Sequence, residues 1–570
     1  MYILGIWDGH DSGAALIDHD RIIFASNEER YTKRKLEVRF PYNSINAALH
    51  HAGINADEVD VVAFPTTDIS KTASRIFPMQ KESYYRFRRR KMPKPRAEGL
   101  MHYTKYAMTS IGSLPLCGAI SKYEVSKELK RIGFSDFQIM SIDHHQAHAA
   151  TAAFTSGMKD QLVITLDGIG DGLSGSVSTL ENGELERKSQ IPGSDSIGIF
   201  YEQVTNIIGM RELEDEGKIM AMADYSFPFS FSDNKLKHFF SVEGLGMHAR
   251  YGPVRQYNEL SRIAWGMPRE QFAYMAQQLL ENVVTEFVSN AIDEYGIPDV
   301  SFAGGVMSNI KANMKIRALG KLKSWYIFPH MGDGGIALGA AMQANYLING
   351  RSAYCFRDSY LGEEYSDDQI RSQLKKEKGL SFQPESGKAK HAAEIIEAND
   401  YILWFQGRME YGPRALGNRS ILGNSSSDKV KDKLNTYVKQ REWYQPFAPS
   451  MLEEDSGRLL SDIKGTDKFM TMGYKVKDSA MEVMKSVVHI DMTARPQMVG
   501  DENRNYQELL RNVKRRTGYG VVLNTSFNIH GMPIVASPED AIYTLKKTNS
   551  RYMFIGNYFV ENKNAAGGKR

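Results

Sequence analysis

The sequence predicts an α/β protein with an internally duplicated N-terminal domain and a smaller α/β domain behind it. Three observations carry that expectation. A pattern of strand, Asp-Gly bend and second strand occurs twice, a strand runs into paired glycines near residue 300, and strands alternate with helical stretches after residue 390. At 570 residues the chain is several times the usual domain length, so it must bury more than one core. Lys+Arg minus Asp+Glu is 71 − 68 = +3, with 42% hydrophobic and 24% charged residues, which excludes wholesale disorder and gives no global field for nucleic acid or lipid. Cys117 and Cys355 are the two cysteines, too few and too far apart for a disulfide framework or a Cys-x-x-Cys site. Any metal is therefore left to histidines and carboxylates.

The elements follow in order. Residues 3–26, ILGIWDGHDSGAALIDHDRIIFAS, and residues 162–185, LVITLDGIGDGLSGSVSTLENGEL, each read as a β-rich run, a bend carrying an acid and glycine, and a returning strand. Glycine at such a bend lets the backbone approach a phosphate or metal. Phe272, Met275, Leu279, Val283 and Phe287 recur at spacings of three and four, which predicts a core helix between Gln271 and Tyr295. In DVSFAGGVMSN a strand meets Gly304-Gly305 and then a helix, a geometry that offers amides to a nucleotide. WYIFPHMGDGGIALGAAMQANYLI reads as strand, loop with Asp333, and Ala-rich helix. The first domain is thus complete near residue 350, giving domains of 1–355 and 356–570, with 351–390 as a charge-rich connector with some helix. Beyond it, YILWF, GYGVVLNTSF and YMFIGNYFV read as strands. The basic run RFRRRKMPKPR at 86–96 reads either as a solvated loop or as an edge for an anionic substrate or RNA. MYILGIWDGH lacks the basic and apolar regions of a leader, and no stretch is long and apolar enough for a membrane span, so the expectation is a soluble cytoplasmic protein.

Residues able to carry chemistry fall into two groups. In SIDHHQAHAATAAF, His144 and His148 share one helical face within reach of a single ion, while His145 points about 100° away. Packing explains such a pair equally well; Asp167 and Asp333, both at glycine turns, could complete a His2Asp2 set suited to iron, zinc or manganese. His10, between Asp8 and Asp11, is either a general base or a turn histidine, and Lys35 reads as a surface lysine. In the second domain Arg408, Arg414 and Arg419 lie among glycines with Glu410 as the local acid, as in an anion cradle. Lys439, Arg441, Arg495, Asn524, Ser526 and Asn528 could complete a phosphate and adenine site. A Walker A motif and a GxGxxG opening a helix are both absent, against P-loop and Rossmann readings.

Taken together, GHDSGAALI, EERYTKRK, HHQAHAA, the LDG turn, EGKIMAMA, GGVMSN, PHMGDGGIALGAA, GPRALGNRSIL, TARPQ and LNTSFNIHGMPIV resemble the O-carbamoyltransferases that decorate nodulation factors, aminoglycosides and cephalosporins. The resemblance spans the chain. It implies an actin/Hsp70-like first domain similar to the tRNA threonylcarbamoyl transferase, and a second similar to the enzyme that makes threonylcarbamoyl-adenylate. It further implies that carbamoyl phosphate and ATP, with Mg2+, give carbamoyl-adenylate in the second domain, for transfer to a hydroxyl of a small molecule or sugar in the first. On this resemblance His144, His148, Asp167 and Asp333 hold Fe2+, with zinc or manganese as alternatives, and His10 is the acid/base residue with Asp8 near the acceptor. Lys35 contacts carbamoyl-adenylate, Gly304, Gly305 and Asn309 lie on a nucleotide motif, and Arg414, Arg419, Lys439, Arg495, Asn524 and Ser526 fall on the adenylate-forming pocket. Two other readings stay open: a tRNA-modifying carbamoyl or threonylcarbamoyl transferase, which the near-neutral charge disfavours, and a non-catalytic Hsp70-like nucleotide-binding protein. The acceptor, the oligomeric state and any ligand of the basic run are left undetermined by the sequence.

Overall fold

The computed structural model describes residues 1–93 and 98–565. They divide into two compact units: Met1–Glu28 with Leu36–Phe356, and Glu29–Lys35 with the chain from Arg357 onward. The short segment Glu29–Lys35, which its sequence position assigns to the first domain, therefore packs with the second unit. Its contacts there are specific: Arg30 donates to the Gly412 carbonyl at 2.8 Å, and Lys33 pairs with Asp540.

The first unit is a mixed α/β structure on two five-stranded sheets. Strands β1 (Tyr2–Trp7), β2 (Gly13–Asp18), β3 (Arg21–Asn27), β4 (Val59–Pro65) and β5 (Gln138–Ile142) lie in the order β3-β2-β1-β4-β5. The second sheet takes β6 (Gln161–Gly170), β7 (Leu173–Glu181) and β8 (Glu184–Pro192); β9 (Phe240–Glu243) and β10 (Gly246–Ala249) form a separate hairpin, and β11 (Asp299–Ala303) and β12 (Ser324–Ile327) complete it as β12-β11-β6-β7-β8. In each sheet the first three strands pair antiparallel and the last two join in parallel, so one topology occurs twice. The second hairpin turns on Asp171-Gly172, both at positive φ (50° and 85°), the geometry that matches strand twist in a tight hairpin.

Two helices carry the site. His144–Thr155 follows β5 but packs on β6 and β11, whereas Ile336–Asn349 follows β12 but packs on β1, β2 and β4. They also pack on each other, which their runs of alanine permit. The closest approach needs Gly339, where a Cβ would stand 2.0 Å from the Ala147 carbonyl oxygen. Arg269–Tyr295 is the expected long core helix, ended by Gly296 at φ 65°.

The second unit holds β13 (Leu380–Pro384), β14 (Ile402–Phe405), β15 (Arg419–Gly423), β16 (Ala448–Leu452), β17 (Tyr474–Lys475), β18 (Thr493–Ala494), β19 (Gln497–Val499), β20 (Val521–Ser526), β21 (Tyr552–Ile555) and β22 (Tyr558–Asn562). Eight of them form one mixed sheet, β13-β22-β21-β14-β15-β20-β16-β19, and β17 pairs with β18. Ala392 and Ile396 of helix Lys388–Glu397 and Leu509 and Val513 of helix Arg504–Thr517 join Trp404 and Leu422 in its core. Residues 351–390 contain the expected helical stretch, Asp367–Lys375, and beyond it the edge strand β13.

The basic run departs from a solvated loop. Helix Pro78–Arg88 reaches into it, Arg88 and Arg89 are buried, and Arg88 pairs with Glu202 and Glu212. Arg90 donates to the carbonyls of Met210 and Asn206, and Lys91 pairs with Glu214. These partners lie more than a hundred residues away, which is why the run reads as unpaired in sequence; Lys94 and Arg96 lie outside the described residues. Among the described residues, no helix is long and apolar enough to cross a membrane.

Candidate active site

In the first unit His144 and His148 of helix His144–Thr155, Asp167 of β6 and Asp333 in the turn before helix Ile336–Asn349 come together, all buried, with one donor atom from each within 4.8 Å of the others. His144 Nε2 lies 3.3 Å from Asp167 Oδ2 and 3.6 Å from Asp333 Oδ1; His148 Nε2 lies 3.8 Å and 3.5 Å from the same two atoms. Bonds of about 2.1 Å to one ion place its donors about 3–3.5 Å apart, so these spacings fit. His148 Nε2 is buried and makes no hydrogen bond, an orphaned donor that an ion would satisfy. Burial opposes a charge on His144, but Asp333 and Asp167 outweigh it and raise it to about 9, while Asp167 is held well below the ordinary carboxylate range despite its burial.

The ligand set is held from behind. The Thr66 hydroxyl meets His144 Nδ1 at 2.9 Å, which turns Nε2 toward the carboxylates, and Asp171 Oδ2 accepts from the His144 amide at 2.9 Å. Thr66, a β-branched residue, holds φ 70°, local strain maintained at the site. The Gly305 amide donates to Asp167 Oδ1 at 2.6 Å, and Gly304, at φ 98°, lets this turn lie against Leu166, whose carbonyl oxygen would stand 2.1 Å from any Cβ. Asn309 caps helix Ile310–Ala318 through Ala312 and exchanges two hydrogen bonds with Gln277. The Gly305 amide is therefore committed to Asp167, and the Asn309 side chain to the helix cap and Gln277.

His10 stands at the edge of the set, its Nδ1 3.4 Å from Asp333 Oδ2 and its ring 5.6 Å from that of Tyr85. Burial lowers it to about 4, against the opposing pull of Asp333, so it is neutral at neutral pH. Asp8 is engaged elsewhere: Arg75 donates to both its oxygens at 2.9 and 3.0 Å, and Lys71 stands 2.8 Å from one of them. Burial would raise Asp8, but these cations hold it well below the ordinary range. Thr66, Asp171, Lys71 and Arg75 escape a reading of the sequence. Asp171 had a signal, the Asp-Gly hairpin turn, and Lys71 and Arg75 share an i, i+4 face.

The second unit gathers cations. Lys439 Nζ bonds to Ser526 Oγ at 3.2 Å and Asn528 Oδ1 at 2.6 Å, and Asn524 Nδ2 donates to the Ala415 carbonyl at 3.1 Å and Ser450 Oγ at 2.8 Å. Burial lowers Lys439, and the charges of Arg441 and Lys35 add to it. Burial also lowers Arg414 to about 10 and depresses Arg495, on which Arg414 and Arg441 act as like charges; Arg495 Nε is buried without a hydrogen bond. Arg419 differs, for its guanidinium lies over the Phe405 ring and donates to the carbonyls of Gln406 and Gly407. Glu410 pairs with no arginine among the described residues; Oε1 accepts from the amides of Leu416, Asn418 and Arg419 and so shapes the glycine loop.

A mixed α/β chain with a His2Asp2 cluster in one unit and buried, mutually repelling cations in the other has the makings of a group-transfer enzyme. Comparison with known families is decisive: the carbamoyltransferase N-terminus matches residues 2–342 and the carbamoyltransferase C-terminus residues 393–562. The chain belongs to the carbamoyltransferase family and is an enzyme of that class. An uncharacterized protein of Methanocaldococcus jannaschii is 36% identical over 77% of this chain and 76% of its own length. Nodulation protein NolNO of Sinorhizobium fredii is 31% identical over 98% and 80%, and the 3'-hydroxymethylcephem-O-carbamoyltransferase of Streptomyces clavuligerus 30% identical over 61% and 65%. Among solved structures, component A of the (R)-2-hydroxyglutaryl-CoA dehydratase of Acidaminococcus fermentans overlaps 61% of this chain and 98% of its own at 15% identity and a TM-score of 0.34, too slight a likeness to define the fold.

Proposed function

We propose that the protein is an ATP-dependent O-carbamoyltransferase, with an actin/Hsp70-type first unit that transfers the carbamoyl group and a second unit, of the threonylcarbamoyl-adenylate-synthase type, that activates it. In the second unit Lys439, Arg414, Arg441 and Arg495 hold the phosphates of ATP and carbamoyl phosphate. Water cleaves carbamoyl phosphate to carbamate and phosphate; a carbamate oxygen then attacks the α-phosphorus of ATP and expels pyrophosphate. In the first unit the acceptor hydroxyl oxygen attacks the carbamoyl carbon, and AMP leaves. With Asp333 Oδ2 3.4 Å from His10 Nδ1, a proton carried on Nδ1 leaves Nε2 to take the hydroxyl proton. A divalent ion held by His144, His148, Asp167 and Asp333, Fe2+ or else zinc or manganese, supplies Lewis-acid polarisation of the carbamoyl oxygen when bound.

The observation that carries this reading is the convergence of two imidazole nitrogens and two carboxylates beside His10. The test is pyrophosphate release from ATP by the purified protein, with and without carbamoyl phosphate and with no acceptor. Release that requires carbamoyl phosphate is expected. Intact ATP, or cleavage that ignores carbamoyl phosphate, would overturn the proposal.

A further inference from the structure

The wall of the first unit beside His10 is lined by cations, not all of which stand in an ion pair. Helix Ile69–Ile76 presents Lys71 and Arg75, and both face Asp8, whose carboxylate they share. Lys81, Tyr85 and Arg88 follow at spacings of four and three on helix Pro78–Arg88, so they line one face. Arg88 is matched by Glu202 and Glu212. Lys81 is buried and reaches only the carbonyl oxygen of Asp8, at 2.9 Å. Lys105 sits over the rings of Tyr84 and Tyr85, 4.6 and 5.6 Å from their centroids. Among the described residues, neither Lys81 nor Lys105 has a carboxylate within ion-pair distance.

Lys81 is buried and Lys105 half-buried, and desolvation disfavours such charges unless something pairs with them. Cation–π contact with two tyrosines, and the more distant charges of Glu202, Asp68 and Glu212, offset part of this for Lys105. The wall also faces the chemistry: the Tyr85 ring, under Lys105, is the one that packs on His10, and the charges of Arg89 and Lys105 are both felt at His10. Burial, reinforced by Arg88, lowers Lys105 to about 8, which leaves it mostly protonated at neutral pH.

We propose that this wall selects an acceptor bearing an anionic group, carboxylate or phosphate, near the hydroxyl to be carbamoylated, and that Lys105 is the residue that contacts the anion. The proposal rests on the carbamoyl-transfer reading for the role of the hydroxyl, but the anion site is testable by itself. The full-length protein is titrated calorimetrically with glucose 6-phosphate and with glucose. The wild type is expected to bind the phosphate ester at least about tenfold more tightly, the usual worth of a charge-assisted contact. Lys105→Ala should abolish that preference, Lys105→Arg should keep most of it, and Lys130→Ala, on the exposed side of helix Pro115–Lys130, should keep all of it. Equal binding of the two probes by the wild type, or a preference that survives Lys105→Ala, overturns the proposal. The titrations are repeated with AMP at saturation; loss of the Lys105-dependent binding there would assign the lysine to the phosphate of the activated intermediate, and also overturn it. Carbamoyl phosphate-dependent pyrophosphate release, measured on the same preparations, tells failure of the activity reading from failure of the anion site.

Discussion

His144 meets the Thr66 hydroxyl through Nδ1 and aims Nε2 at Asp167 and Asp333, so its removal takes away one imidazole of the proposed ligand set together with its support. His144→Ala should lose bound metal, read by elemental analysis, and lower carbamoyl transfer by about 10²–10³, while pyrophosphate release dependent on carbamoyl phosphate persists in the other unit. Full transfer by a metal-free variant would contradict the assigned centre. Glu216, at the head of the EGKIMAMA helix, carries a separate consequence. Burial and the nearby Glu202 raise it to about 8, against an ordinary 4.5. The folded protein thus keeps a proton there that the unfolded chain gives up, and its contribution to stability falls as pH rises from 4.5 to about 8, by about 1.4 kcal/mol per unit for one proton. Glu216→Gln should flatten this dependence in denaturant titrations at pH values of about 5 and about 8. An unchanged slope would show that Glu216 is ionised in the folded protein.

At the scale of elements, the site depends on two alanine-rich helices that each leave one sheet and pack on the other. Gly339→Val should force them apart, because its Cβ would meet the Ala147 carbonyl. The expected cost is about 1–3 kcal/mol or more, with reduced metal content, seen as a lower melting temperature and weaker ion binding. A variant with wild-type melting and metal content would mean that the crossing can relax. The same elements show what the sequence discloses. Short-range patterns were legible: the Asp-Gly hairpins, the 3.6-period helix ended by Gly296, and the His144/His148 spacing; of the two acids expected at turns Asp333 is at one, whereas Asp167 lies within strand β6. Pairings over long separations were not. Arg88 meets Glu202 and Glu212, and Arg75 meets Asp8, only because the chain folds, so Arg88, which looks solvated in the sequence, is in fact buried and matched. Glu29–Lys35 lies in sequence between two strands of the first unit, and nothing local indicates that it packs with the second. Polar groups in glycine-rich turns were legible as sites but not as roles, since Asn309 caps a helix and Arg419 binds backbone carbonyls.

The molecule as a whole holds its orphaned metal-type donor in one unit and its mutually repelling arginines in the other, which is the arrangement that the proposed division of activation from transfer requires. Carbamoyl-adenylate is a mixed anhydride that water destroys, so a chain that carries both activities gains most if the intermediate is not released to solvent. That gain is measurable with two complementary defects. Lys439→Ala removes a buried cation held by Ser526 and Asn528 and should abolish pyrophosphate release while metal binding persists; His144→Ala should do the reverse. Mixed in equal amounts and supplied with ATP, carbamoyl phosphate and a competent acceptor, the two variants could make product only if the intermediate leaves one molecule and enters another. Product at less than about a tenth of the wild-type rate is expected, since a tethered second site acts at a far higher effective concentration than a separate one. Restoration of near-wild-type turnover would establish a freely diffusing intermediate, and would make the joining of the two activities in one chain a matter of co-expression rather than of chemistry.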